Sequence, residues 1–92
     1  GPRSANDVPI RWAVGRLVRS GRADLAEEVI AMLVDAIDRQ LGSVGITSEH
    51  EKYEQGHNIF AARFASFLRH EHPDLLPERW RDVPEPPRIH VD

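Results

Sequence analysis

The stretch TSEHEKYEQGHNIFAARFASFLRHEH, residues 47–72, decides the fold. Tyr53, His57, Phe60, Phe64 and Phe67 recur along it at alternating steps of four and three residues. Side chains at that spacing share one face of an α-helix, and so wide an aromatic stripe has to be covered by something. Thr47 or Ser48 opens the helix, with Glu51 three residues after Ser48 as in a capping box, and Pro73 forbids continuation past Glu71. About 24 residues at about 1.5 Å each give a rod of about 36 Å, enough to act as the spine of a small domain.

Two helices are expected before it. Asp7 ahead of Val8-Pro9 reads as a start, because a carboxylate can accept orphan backbone N–H groups and proline is tolerated in the first turn. Ile10, Ala13, Val14, Leu17 and Val18 then keep helical spacing until Ser20-Gly21 ends the run. The second helix restarts at Asp24, with Glu27 placed for a capping box, and Leu25, Val29, Met32, Leu33, Ala36, Ile37 and Leu41 carry its apolar face. Ile30 and Val34 widen that face beyond what one partner helix needs, and Gly42 to Gly45 form a connector.

Beyond Pro73, Leu75, Leu76 and Trp80 anchor one more short turn, after which Pro84, Pro86 and Pro87 enforce extended backbone. The expected fold is therefore all-α: a three-helix bundle with a long third helix, a short C-terminal helical turn and an extended proline-rich tail. Residues 1–4 (Gly1-Pro2-Arg3-Ser4) read as the remnant of a cleaved tag, 5–82 as the helical domain and 83–92 as a tail or linker.

Composition narrows the class. At 92 residues the chain supports one thin core. It holds no cysteine, so neither a disulfide staple nor thiolate chemistry is available, which fits a reducing, cytoplasmic setting. Its apolar runs fall short of the roughly 18 to 20 residues of a membrane span, so no membrane partner is expected. The net charge of −3 is unevenly spread: Arg3, Arg11, Arg16, Arg19 and Arg22 face only Asp7 in residues 1–22, whereas residues 23–56 set eight acids against Arg39 and Lys52.

Three constellations are candidates for function. The stripe Tyr53, His57, Phe60, Phe64 and Phe67, joined by Trp80, offers more large apolar surface than two short helices easily hide, and so reads as partner-binding. His57 within it is a potential pH-sensitive position, or simply a histidine that caps the seam. Arg11, Arg19 and Arg22 lie near one side of the first helix, with Arg16 less than a right angle further round and Trp12 adjacent. They read as a surface for phosphate or an acidic partner, unless they pair with Asp24, Glu27 and Glu28 across the turn. His50, Glu54 and His57 step one helical turn at a time, with His70 and His72 at the helix end, yet HExxH is absent and a full ligand set is missing. No metal and no cofactor are expected.

The first two helices do not read as a DNA-binding helix-turn-helix, because the second presents Glu27, Glu28, Asp35 and Asp38 outward and the major groove repels them. Leu17 to Ala26 resembles the inter-helix turn of helical-hairpin repeats of the pentatricopeptide and tetratricopeptide types, in a single copy of a generic αα-turn that identifies no family. Ser20, Ser43, Ser48 and Ser66 lack a nucleophile motif, and a glycine-rich phosphate loop is missing, so the chain is not expected to be an enzyme. The leading expectation is a protein-interaction or regulatory module, homodimeric or part of a larger protein. A nucleic-acid-binding accessory domain that uses the first helix's arginines is the second reading, and a histidine-based metal site the third.

Overall fold

A computed structural model describes residues 7–43, 45 and 59–86. Three α-helices follow one another: α1 (Val8–Arg19), α2 (Ala23–Ser43) and α3 (Ile59–Glu71). Two 3₁₀ turns, Pro73–Leu75 and Glu78–Trp80, complete the order, and no strand occurs among the described residues. α3 has 13 residues, so the long third helix expected from the sequence is replaced by a short one. The expected first half of that helix, with Tyr53 and His57 and the histidine set at 50, 54 and 57, lies outside the described residues. No helix among the described residues is long and apolar enough to cross a membrane.

The α1–α2 turn follows its sequence closely. Gly21 takes φ +75°, and the Gly21 and Arg22 amides donate back to the carbonyls of Val18 (3.0 Å) and Leu17 (2.8 Å). Those two bonds form a Schellman closure, which satisfies carbonyls the helix leaves unpaired and reverses the chain within three residues. α2 then packs back on α1.

Both expected acidic caps form ion pairs with nearby arginines. Asp7 is already in the αR conformation and makes no side-chain cap bond. With its backbone in the helix, the carboxylate reaches one turn forward instead and accepts from Arg11 Nε at 2.5 Å. α2 begins one residue ahead of Asp24, and the Arg22 carbonyl accepts the first amides, from Leu25 and Ala26. Asp24 is left to receive Arg22 in a two-pronged bond, 3.1 Å on each prong.

The core lies where α2, α3 and the 3₁₀ turns meet, with Val14 entering from α1. Its α2 side is Ala26, Ile30, Val34, Ile37 and Leu41, so the residues expected merely to widen the apolar face sit at its centre. Met32, 71% exposed, and Ala36 lie outside it. The physical cause is that α2 is covered by α1 along one edge and by the C-terminal turns along another, which rotates the buried stripe toward the bisector of its neighbours. On α3, Ala61, Ala62 and Ala65 are buried beside Phe64 and Leu68 and keep the helix surface low where its neighbours cross it.

Pro73 and Pro77 break the descending chain into its two turns, and these carry Leu75 and Trp80 back into the core. Beyond them Val83 is buried, and the segment is fastened to α3 by a polar clasp. Ser66 Oγ donates to Glu85 Oε1 at 2.8 Å, while Arg69 donates to the Val83 carbonyl at 2.8 Å and pairs with Glu85. The Ser66 hydroxyl first, and the Arg69 guanidinium with it, hold the Glu85 carboxyl below its ordinary range.

Candidate functional site

The aromatic residues of α3 divide between core and rim. Phe64 is fully buried, stacked on Phe67 with ring centroids 5.8 Å apart and met edge-on by Trp80 at 6.1 Å. Both rings of that edge-to-face pair are sealed inside the chain, so they serve the fold rather than offer a surface. Phe60 and Phe67 are half-buried at the margin. Of the stripe expected to bind a partner, the described part thus reaches solvent only at those two rings.

Phe67 leads to the second constellation. Arg11 lies over its face, 5.5 Å from guanidinium carbon to ring centroid, and His72 meets its edge at 5.4 Å. The guanidinium is held there by Asp7, which is 3% exposed and therefore supplies a fixed counter-charge beneath it. From this point a groove of about 680 Å³ opens between α1 and the end of α3. Arg11, Trp12, Arg16 and Arg19 form one wall, and Phe67, Glu71 and His72 the other.

Trp12 stands out of the α1 wall with 70% of its surface exposed. Val14, two residues on and roughly opposite around the helix, is fully buried, which fixes Trp12 on the outward side. Gly15 is the low point of the wall. A Cβ there would come within 3.2 Å of an Arg19 guanidinium nitrogen, so the missing side chain is what lets Arg19 fold back across its own helix.

The arginines expected to form one anion surface separate into two kinds. Arg22 is engaged by Asp24, their side-chain hydrogen bond raising the guanidinium pKa and lowering that of Asp24, and it stands at the turn rather than in the groove. Arg11 is paired with Asp7. Arg16 and Arg19 have no ion pair among the described residues, and line the groove with an exposed indole between Arg11 and Arg16. With Arg11 balanced by Asp7, Arg16 and Arg19 against the carboxylate of Glu71 leave the lining cationic.

Such a site can hold a carboxylate- or phosphate-bearing group by charge and an apolar group by contact with the indole and Phe67. Sequence reading had no means of finding Gly15, Glu71 and His72, because they join the site only when α1 packs beside the end of α3. No group of three or more potential metal ligands occurs among the described residues. His70 instead stands 3.7 Å from Glu85, and His72 packs on Phe67. Comparison of the chain with protein-family models, with curated proteins and with solved structures finds no match.

Proposed function

We propose that the chain is a non-enzymatic protein-interaction module whose working surface is the outer face of α1. The observation that carries this reading is Trp12, 70% exposed amid Arg11, Arg16 and Arg19 beside the Phe67 groove. Tryptophan and arginine are the residues on which binding energy concentrates, and an indole left in water at a concave, charged edge gains most when a partner covers it. The partner chemistry that fits is an acidic protein surface with an apolar centre.

The nucleic-acid reading rests on Arg16 and Arg19, the two groove arginines without an ion pair among the described residues. Against it stand Glu71 within the groove and the acidic exposed face of the adjacent α2, both of which repel a phosphate backbone.

One titration series separates the two. The ¹⁵N-labelled chain is titrated with a peptide of alternating Glu and Leu and, separately, with a DNA duplex. The interaction module requires saturable shifts from Arg11 to Arg19 and at Glu71 and His72 with the peptide, weakened by Trp12→Ala. Shifts of those residues by the duplex alone, falling steeply with salt, would replace it with the nucleic-acid reading.

A further inference from the structure

A second groove has the complementary character. It lies between α2 and the C-terminal turns, holds about 390 Å³, and is floored by Ile30, Val34, Leu75 and Leu76. Its rim carries Glu27, Asp35 and Asp74, none of which has an ion pair among the described residues. The one cation on that rim among the described residues, Arg79, is already taken by Asp38 of α2. The molecule thus bears an exposed indole ringed by arginines on one helix and an apolar hollow ringed by carboxylates on the next.

We infer that the partner of the α1 surface is a second copy of this chain, with Trp12 of one copy seated in the α2 groove of the other. This assignment rests on the interaction reading above and names its partner. The indole meets Ile30, Val34 and Leu76, while Arg16 and Arg19 reach Glu27, Asp35 and Asp74 at the rim. Complementary rims steer the encounter and set the register, and the buried indole supplies most of the affinity. The contact joins two different patches, so each copy retains one free half of it unless the exchange is reciprocal and closes a pair.

The test uses that asymmetry. Sedimentation velocity follows the mass of the wild-type chain from about 1 µM to about 1 mM, a range that reaches contacts of only modest free energy. Two variants remove one half each: Trp12→Ala with Arg16→Ala on the projecting side, and Glu27→Arg with Asp35→Arg on the groove side. All four positions are exposed, so both variants should keep the wild-type circular dichroism. The wild type should associate with rising concentration, and each variant alone should do so at least about tenfold more weakly. Mixed in equal amounts, the variants should form a two-chain complex and nothing larger, because only one intact half remains on each.

A wild type that stays monomeric throughout, or a mixture no heavier than its components, overturns the self-docking. If the Glu-Leu peptide still shifts the α1 resonances in that case, the interaction surface stands and its partner is another acidic protein. Loss of both results removes both readings.

Discussion

The chain's two tryptophans end up in opposite environments. Trp80 has no exposed surface and closes edge-on against Phe64, whereas Trp12 leaves 70% of its surface in solvent. The difference is one of coverage rather than of residue type. Trp80 sits where α2, α3 and the returning C-terminal segment converge, so every face of its indole finds a neighbour. α1 is a single layer at the edge of the molecule. It spends one side on Val14 and the core, and whatever stands on the other side has no second layer to meet among the described residues. In a domain this small an aromatic residue is therefore structural at the convergence point and available for binding at the margin.

Truncating each indole should make the contrast quantitative. Trp80→Ala removes a fully buried side chain and leaves a cavity beside Phe64, at a cost of about 3–5 kcal/mol. That is comparable to the whole stability of a small domain, so the variant should lack a cooperative urea transition. Trp12→Ala should shift the transition by no more than about 0.5 kcal/mol, as is usual for an exposed position, while weakening peptide binding. A Trp12→Ala chain that unfolds like Trp80→Ala would show that the α1 face is part of the core after all.

The contrast was only partly legible in the sequence. Ser20-Gly21 marked the α1–α2 turn correctly because one left-handed glycine and two local hydrogen bonds suffice to define it. The stripe placed Phe64 on a buried face for the same reason of local periodicity. Nothing in α2's pattern told Ile30 and Val34 from Met32 and Ala36, since its apolar residues circle much of the helix and only the arrival of the C-terminal turns selects among them. The caps failed for two reasons: Asp7 had an arginine one turn on that took its carboxylate, and α2 begins at Ala23, which puts Asp24 inside the first turn rather than ahead of it. Of the site, the α1 wall of Arg11, Trp12, Arg16 and Arg19 could be read one residue at a time. From the α3 wall Phe67 could be read as part of its stripe, whereas Glu71 and His72 could not be joined to the site.

A smaller perturbation sharpens what the exposed side is for. Gly15 lies inside α1, where alanine is favoured over glycine by about 0.5–1 kcal/mol. The added methyl would press on Arg19, and because the atom it meets is the tip of a flexible side chain, Arg19 can swing aside at little cost. Gly15→Ala should accordingly raise the urea midpoint while lowering affinity for the acidic peptide. Gains in both would mean that Arg19 is not needed in the groove, and the binding surface would contract toward Trp12, Arg11 and Arg16.

The weakest expected effect belongs to the buried side, where the clasp of Ser66, Arg69 and Glu85 ties down the segment that follows Trp80. The folded-state pKa of Glu85 lies below its ordinary value, so its contribution is complete above the unfolded value and is lost as pH falls through the folded one. Glu85 is half exposed and water screens the pair, which limits the loss to under about 1 kcal/mol. Between about pH 6 and about pH 3 the wild type should lose that increment beyond the loss seen in Glu85→Gln, with the Val83 amide exchanging faster and Trp80 fluorescence unchanged. Equal losses in wild type and Glu85→Gln would show that the carboxylate adds nothing to the clasp. A shift in Trp80 emission at the same pH would show instead that the clasp is part of what keeps this indole, unlike Trp12, out of water.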